Sequence, residues 1–293
     1  MQDVIGTTGI TVKPLSTACG AEIGGVDLSQ SLTDDTIRAI KAAWDEHLVI
    51  VFRGQTFTQE QQLAFAARFG EVGQRRQAPT ALASRVTGTE QTDNRVLLVT
   101  NIKDDKGKPI GAFGDGEMWF HIDSGYAEKP YLYTFLYGVT LPSRGGNTQF
   151  ANLYKAYEVL PADLKAKLAG RKALHLHEYK RHSRAQVPDD LSGVPHHLHP
   201  VFATHPSTGR KTLFVDRLMT QRIEGLSHAE SEAILEILYE AGERKEHVYE
   251  HEWRLGDVVC WDNRATMHAR TWFPENEPRL MRRCTVEGGK VVE

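Results

Sequence analysis

The sequence predicts a β-rich α+β fold: a double-stranded β-helix (jelly-roll) core with flanking helices. Three observations support this prediction. Strand-like apolar runs clearly outnumber helical segments, above all after residue 130. The helical segments are few and stand at separate places along the chain. The 293 residues show no internal repeat and no clean linker, so we expect one domain over residues 1–293.

Composition and charge narrow the classes of function. Hydrophobic residues make up 40% and charged residues 25%, which is ordinary for a globular protein with a real core. A formal net charge of −3 gives no reason to expect nucleic acid or an anionic membrane as the main partner. Three cysteines without a CxxC spacing argue against a disulfide framework and a thiolate zinc site.

The sequence also bears on location. Residues 1–13 lack a basic segment followed by an apolar run, so we predict no signal peptide. No apolar stretch is long enough to span a bilayer. We therefore expect a cytoplasmic protein. Its oligomeric state stays open, a homo-oligomer included.

The first quarter of the chain alternates short strands and helices. Glycines break residues 9–28 into short strands, and later elements show helical spacing, capping residues or a continuous apolar run. The predicted elements are a helix over Thr33–Leu48 with Thr33 as N-cap, a buried strand over Leu48–Phe52, and a helix from a Thr58/Gln61 capping box to Phe69.

Residues 72–118 are less regular. Val96–Ile102 suits a strand, and Lys103–Lys108 suits a turn or mobile loop. An irregular connection of this length in a compact domain is usually functional or disordered. We predict an insertion around residues 77–118 that acts as a lid over a site.

The remaining chain is mostly strand-like. The predicted strands are Tyr131–Thr140, Thr148–Ala151, Ala173–His177, Val201–His205, Thr212–Val215, His247–Trp253, Asp257–Trp261 and Met281–Val286. Two helical segments interrupt them, over Leu153–Ala169 and Ser227–Glu243. Ser227 and Glu230 are expected to form a capping box at the start of the second.

One short segment places an imidazole and a carboxylate two residues apart. In Trp119-Phe120-His121-Ile122-Asp123, side chains of an extended segment alternate faces, so His121 and Asp123 are expected to point the same way. A nitrogen and an oxygen donor on one face can hold a metal from one side. Most other histidines have no such partner and are interpreted as surface or packed residues, the cluster His196-His197-x-His199 included.

A distant segment could complete such a site. His268 follows an apolar strand in Trp261-Asp262-Asn263-Arg264-Ala265-Thr266-Met267-His268. Arg279 and Arg283 come soon after it and share one face of an extended segment, whereas Arg282 points the other way. An arginine can grip a carboxylate with two hydrogen bonds. From these residues alone, a structural turn with solvated arginines is an equally good interpretation.

Motifs spread over the whole sequence favour a metal site at His121, Asp123 and His268. The sequence resembles the taurine dioxygenase and dichlorophenoxyacetate dioxygenase family, the iron(II)- and 2-oxoglutarate-dependent oxygenases. The likeness covers nearly the whole chain, and the matching segments occur in the expected order. They are Gly24–Leu28, Phe69–Glu71, the H-x-D pair at His121, Gly145-Gly146-Asn147-Thr148, His205–Lys211, the W-D-N-R-x-x-x-H segment ending at His268, and Arg283, fifteen residues beyond it.

The resemblance implies a function and roles for these residues. His121, Asp123 and His268 would bind Fe(II) and leave positions for 2-oxoglutarate and O2. Arg283 would hold the far carboxylate of 2-oxoglutarate, with Thr148 as a hydroxyl donor and Arg279 as a neighbouring arginine. The implied reaction hydroxylates a small organic acid (a sulfonate, an aryloxy acid or an amino-acid-like compound) while 2-oxoglutarate becomes succinate and CO2.

The segments expected to hold the substrate depart from the family. Arg75 stands near the position of a sulfonate-binding histidine in the taurine enzymes, which makes taurine itself doubtful. Glu117 stands where those enzymes carry a substrate-contacting asparagine. Asp216 replaces a common asparagine and is expected to line the same pocket. For Arg75, a solvated surface position is at least as good an interpretation.

Two other functions stay open. The first keeps the cofactor chemistry but yields desaturation, cyclisation or isonitrile formation in a biosynthetic pathway. The second is a non-oxidative jelly-roll protein that binds a metal, for instance a zinc hydrolase. Arg283 and Thr148 speak against the second, because such a protein needs no clamp for a 2-oxoacid.

Overall fold

The computed structural model describes residues 4–5, 9–74, 93–114, 116–177, 187 and 190–293. Within these residues the protein is β-rich with interspersed helices, as predicted. The helices are α1 (Asp34–His47), α2 (Gln59–Ala66), α3 (Leu153–Glu158), α4 (Ala162–Leu168) and α5 (His228–Glu243), with short 3-10 turns at Ala67–Phe69 and Lys245–His247. None of these helices is long and apolar enough to cross a bilayer.

The strands follow in chain order. They are β1 (Val4–Ile5), β2 (Thr11–Pro14), β3 (Ala21–Gly24), β4 (Val49–Phe52), β5 (Leu97–Thr100), β6 (Met118–His121), β7 (Tyr133–Thr140), β8 (Thr148–Asn152), β9 (Lys172–Leu176), β10 (His196–Pro200), β11 (Phe202–Thr204), β12 (Lys211–Leu213), β13 (Thr220–Ile223), β14 (Val248–His251), β15 (Val258–Asp262), β16 (Thr266–Arg270) and β17 (Leu280–Val286).

Two sheets form the centre of the described structure. An eight-stranded sheet has the order β1-β2-β3-β4-β15-β7-β17-β5, and a four-stranded sheet has the order β14-β8-β16-β6. A three-stranded sheet, β10-β9-β13, and the β11-β12 hairpin lie beside them. The pairings between these described strands are antiparallel except that of β3 with β4, which is parallel.

The core explains why β4 is apolar throughout. Ile50 and Phe52 face a cluster that includes Trp44 of α1, on one side of the eight-stranded sheet. Val49 and Val51 face the other side, where a second cluster joins this sheet to the four-stranded sheet through residues such as Phe150. Because both faces are covered, alternation with polar residues is not required. The eight-stranded and four-stranded sheets thus pack face to face through this second cluster.

The predicted helix starts are confirmed where the structure gives a cap. The Thr33 side chain accepts from the amide of Thr36, and Thr58 with Gln61 forms the expected capping box. Ser227 accepts from the amide of Glu230.

The single helical segment predicted over residues 153–169 is wrong. It splits into α3 and α4. Pro161 stands at the break because it has no amide hydrogen to continue the helical ladder. Four strands were also not predicted, β1, β10, β13 and β16, and β16 carries His268.

The predicted lid is described in part. Strand β5 pairs with β17 at the edge of the large sheet. A turn follows at the predicted place, where a carboxylate oxygen of Asp104 accepts from the amides of Lys106 and Lys108. Residues 75–92 and 115 lie outside the described residues. The lid and the single-domain boundary therefore stay predictions.

Candidate active site

His121, Asp123 and His268 converge between the two sheets. One ligand atom from each lies within 4.8 Å of the others, and all three side chains are buried. His268 on β16 pairs directly with His121 at the end of β6, and their ring centroids are 4.1 Å apart. In the described parts of the chain, no other three His, Cys, Asp or Glu side chains come together in this way.

The local geometry corrects one expectation. His121 is the last residue of β6, so Asp123 does not lie on an extended segment with it. Asp123 instead lies on a turn in which Ser124 has a φ of 58°, a left-handed conformation that is uncommon outside glycine. The turn, rather than strand alternation, brings the carboxylate beside the imidazoles.

The protonation states suit a cation. Burial lowers the pKa of His121 and takes that of His268 well below the ordinary histidine value, so both rings are neutral. Nδ1 of His121 lies 2.9 Å from the carbonyl of Trp119 and must donate a hydrogen bond to it. In the neutral ring, Nε2 is then unprotonated and has a free lone pair. Burial disfavours the charged form of Asp123, but the positive charge of Arg283 and smaller contributions outweigh it and hold the pKa at about 2.

The donor set fits a divalent metal. It combines two neutral imidazoles with an ionised carboxylate, and Nδ1 of His268 is buried without a hydrogen-bond partner in the described part of the chain. A 2-His-1-carboxylate set with open positions is typical of non-haem Fe(II) oxygenases. The three residues could therefore hold Fe(II).

A cavity of about 50 Å³ opens beside this group. Its described lining combines apolar side chains with three arginines and no acidic residue. The lining residues are Val99, Phe113, Met118, His121, Leu136, Thr148, Trp261, His268, Ala269, Arg270, Arg279 and Arg283.

Arg279 is a buried cation in this cavity. It is 2% exposed, and Nη2 donates to the carbonyl of Gly146 at 3.1 Å, while Nε has no hydrogen-bond partner among the described residues. Burial lowers its pKa to about 10. Gly146 permits the close approach, because a Cβ there would lie 3.0 Å from Nε. A guanidinium buried in this way calls for an anion in the cavity.

Arg283 contacts a candidate metal ligand directly, and Thr148 lines the same cavity. Nη1 of Arg283 donates to Oδ1 of Asp123 at 2.9 Å, and the Arg283 side chain is 16% exposed. The hydroxyl of Thr148 accepts from Nε1 of Trp253 at 3.0 Å, which leaves its own hydrogen for an acceptor in the cavity. The predicted cosubstrate residues therefore lie in one place.

The predicted substrate residues fare differently. Arg75 lies outside the described residues. Glu117 is exposed and lines a second, more open cavity that adjoins the first at Met118 and Arg270.

Asp216 is not among the described residues that line either cavity, which corrects the expectation for it. It is fully buried, and its Oδ1 accepts from the amide of Met219 at 2.7 Å in the turn before β13. Desolvation raises its pKa to about 7, although backbone amides, that of Ile122 among them, oppose the shift. The side chain holds a turn together beneath the H-x-D segment.

Two buried residues were missed from the sequence. Arg270 lies two residues after His268 on β16, so strand alternation could have placed it on the same face. It donates to the carbonyls of Gly116 and Phe113 and so ties the segment before β6 to β16. Thr134 of β7 donates to Oδ2 of Asp123 at 2.7 Å, and nothing in the sequence signalled that contact.

Comparison with known proteins gives a consistent result. The family described as taurine catabolism dioxygenase TauD, TfdA matches residues 11–285. A pentalenolactone F synthase of Streptomyces avermitilis is 34% identical over 286 residues, which cover 91% of this chain and 90% of the relative. An alpha-ketoglutarate-dependent 2,4-dichlorophenoxyacetate dioxygenase of Cupriavidus pinatubonensis is 33% identical, and the match covers 97% and 99% of the two chains.

Solved structures agree in fold as well as sequence. A taurine dioxygenase from Burkholderia xenovorans superposes with a TM-score of 0.77 at 32% identity, covering 97% of this chain and 96% of the other. The protein AAD-2, solved with Mn(II) and N-oxalylglycine, gives a TM-score of 0.78 at 29% identity, with coverage of 97% and 99%.

Proposed function

The chain belongs to the TauD/TfdA family of dioxygenases, and from that premise we propose which residues perform its chemistry and on what kind of substrate. It is an oxidoreductase that depends on Fe(II) and 2-oxoglutarate, with O2 as the other cosubstrate. One observation carries the residue assignment. A single cavity brings three arginines to the convergent ligands, and no described residue lining it is acidic.

We propose His121, Asp123 and His268 as the Fe(II) ligands. Their protonation states support this role, because the two imidazoles are neutral and the carboxylate is ionised. Fe(II) bound there supplies the activation of O2 that the coupled oxidation of 2-oxoglutarate requires. The three side chains would hold the ion and would leave the cavity beside it for small molecules.

We propose that Arg279 and Thr148 bind the far carboxylate of 2-oxoglutarate. Arg279 is the more deeply buried of the two predicted arginines and has a donor without a partner. Thr148 lines the same cavity and has a hydrogen to donate. This reverses the order predicted from the sequence, in which Arg283 held that carboxylate.

Arg283 is then available for a second anion. It now pairs with Oδ1 of Asp123, an atom that a bound metal would compete for. Once released, its guanidinium lies within the cavity beside apolar side chains such as Val99, Phe113 and Leu136. We therefore propose a substrate with an acidic group on an apolar body, that is, a small organic acid that the enzyme hydroxylates.

The relatives support this substrate class without identifying its member. Their names include dioxygenases for 2,4-dichlorophenoxyacetate, (S)-phenoxypropionate and sulfate esters. A second candidate is desaturation or cyclisation in a biosynthetic pathway by the same cofactor chemistry. The similarity to pentalenolactone F synthase is the observation that favours it.

Broader properties follow as proposals. We propose that the two central sheets form a jelly-roll core, since the chain superposes on taurine-type dioxygenases over 97% of its length. A single domain over residues 1–293, with a lid around residues 77–118, and a cytoplasmic location stay predictions from the sequence.

Two measurements test the proposed function. Anaerobic addition of Fe(II) and 2-oxoglutarate should give a weak visible charge-transfer band, which Asp123→Ala should lose. Succinate release should then be screened with aryloxy acids, sulfate esters, sulfonates and amino acids. A product that gains an oxygen atom indicates hydroxylation, and one that loses two hydrogens indicates the second candidate. Wild-type protein with no band would contradict the residue assignment.

A further inference from the structure

The position of the Asp123 carboxylate is not fixed by strand pairing of its own backbone. It lies on the turn after β6, outside the ladder that fixes His121 and His268 against each other. Its two oxygens have different partners. Oδ1 faces Arg283, which is partly exposed, and Oδ2 accepts from the hydroxyl of Thr134, which is fully buried on β7 of the opposite sheet. Only the second partner is fixed in the interior.

The Thr134 hydroxyl is oriented by two further hydrogen bonds. Nε1 of Trp261 donates to Oδ1 of Asn263 at 3.0 Å, and Nδ2 of Asn263 donates to Oγ1 of Thr134 at 2.9 Å. An indole N–H can only donate, so it determines which end of the Asn263 amide faces it. The other end must then donate to Thr134. The hydroxyl hydrogen of Thr134 is thereby left for Asp123.

The chain of donors is shielded from water. Trp261 is 1% exposed, and Asn263 and Thr134 are 0% exposed. A buried hydrogen bond to a charged group is stronger than one at a surface, and networks of this kind rigidify the groups they join. In this series of hydrogen bonds, the donor Trp261 fixes the orientation of the Asn263 amide, and the Asn263 amide fixes the direction in which the Thr134 hydroxyl donates.

We infer that Thr134 is a positioning residue for the metal centre. The Trp261–Asn263–Thr134 chain holds Oδ2 of Asp123, so that Oδ1, which now pairs with Arg283, would be the oxygen left for a metal ion. This inference rests on the proposed function and adds to it a residue that touches neither metal nor substrate. Loss of a partner that orients a metal ligand typically costs about 10–100-fold in metal affinity.

The test measures Mn(II) affinity on the whole, iron-free protein, so that activity is not the readout. Thr134→Val keeps the shape of the side chain and removes the hydroxyl, and it should weaken Mn(II) binding about 10–100-fold. Thr134→Ser restores the hydroxyl and should return affinity to near the wild-type value. Thr134→Ala makes the same test should the valine variant not fold.

A matched control separates positioning from general loosening. Thr285 is also buried and lies directly opposite Thr134 on β17, but its hydroxyl lies beside Gly73. Thr285→Val should leave Mn(II) affinity unchanged. Equal losses in both valine variants, or wild-type affinity in Thr134→Val, would overturn the inference.

The same measurements distinguish a failure of the proposed metal centre from a failure of the role inferred for Thr134. Mn(II) binding that survives in His268→Ala, or is lacking in the wild type, removes the metal centre and this inference with it. Binding lost in His268→Ala but intact in Thr134→Val rejects Thr134 alone. As a second readout, the Fe(II)–2-oxoglutarate band should shift in Thr134→Val and return in Thr134→Ser.

Discussion

Two regions of the described structure bring histidine rings together, and of these two only the first has the makings of a metal centre. In the first, His121 and His268 face each other across β6 and β16. In the second, His175, His197 and His199 cluster on β9 and β10, with ring centroids 4.6 Å apart for His197 and His199 and 5.4 Å apart for His175 and His199. Burial lowers the pKa of the histidines in both regions.

The carboxylates distinguish the two regions. Asp123 is held near a pKa of 2 and stays ionised beside its imidazoles. Asp216, whose Oδ2 is 4.0 Å from Nδ1 of His175, has a pKa raised to about 7 by desolvation. Nε2 of His199 is already 2.9 Å from the carbonyl of Ala127, in the loop after the H-x-D segment. Charge and open lone pairs, rather than the number of histidines, make a metal centre.

The largest contrast should come from one histidine in each region. We expect His268→Ala to abolish Mn(II) binding and succinate formation, because a ligand is lost. His199→Ala should keep Mn(II) binding and lower the free energy of unfolding by about 1–3 kcal/mol, through a lost buried hydrogen bond and packing. Isothermal titration with Mn(II) and urea unfolding measure both. Loss of Mn(II) binding in His199→Ala would place a ligand in the second region.

The first region also holds a buried cation, Arg279, for which the described residues provide no carboxylate partner. Replacing Arg279 by Met should weaken 2-oxoglutarate binding about 10–100-fold, since hydrogen bonds to charged groups contribute about 1.5–3 kcal/mol. The same change should not lower the stability of the apoprotein, because it removes an unpaired buried charge.

The neighbouring arginine provides the control for that change. Arg282 points to the other face of β17, where it donates to Oε1 of Gln62 and the carbonyl of Phe57. Arg282→Met should lower stability and leave 2-oxoglutarate affinity intact, as read by titration of the anaerobic band. Equal loss of affinity in both variants would mean that strand β17, not the Arg279 guanidinium, determines binding.

The comparison of the two histidine regions also shows which residues of the candidate site could be predicted from the sequence. Distinctive side chains together with the resemblance to a known family selected His121, Asp123, His268, Thr148 and Arg279, which lie together although they are far apart in the chain. The sequence also favoured packing over metal binding for the cluster on β10, and that interpretation stays a prediction.

What the sequence missed depends on long-range packing. Thr134 is one β-branched residue in an apolar strand, and only the approach of the opposite sheet gives its hydroxyl a role. Asp216 was expected at the substrate pocket, but its burial is set by how the turn before β13 packs beneath the H-x-D segment. Such positions carry no local pattern, because a contact between distant strands leaves no period in the sequence.

Protonation of Asp216 sharpens the contrast between the carboxylates. Its folded pKa of about 7 lies above the ordinary value of 3.8, so the folded state keeps a proton that the unfolded chain has lost. Stability is therefore greater at low pH and falls as pH rises towards about 7. Between pH 6 and pH 8 this contribution falls by roughly 1.4 kcal/mol.

Replacing Asp216 by Asn mimics the protonated form and removes this dependence. Relative to wild type, the free energy of unfolding of Asp216→Asn should therefore rise by roughly 1.4 kcal/mol between pH 6 and pH 8. Urea unfolding of both proteins across this range makes the measurement, and other histidines cancel in the difference. A constant difference between the two proteins would show that Asp216 is ionised throughout.

The smallest effect should come from the histidines at the edge of the second region. His196 is exposed and His197 is half-buried on β10, and Nδ1 of His196 lies 2.8 Å from the carbonyl of Val194. We expect the double variant His196→Gln, His197→Gln to change the free energy of unfolding by no more than about 0.5 kcal/mol. Mn(II) and Zn(II) should bind it with the same stoichiometry as the wild type. A binding equivalent lost from the double variant would mean that the neighbouring histidines hold a metal without an ionised carboxylate, and the rule drawn from Asp123 and Asp216 would fail.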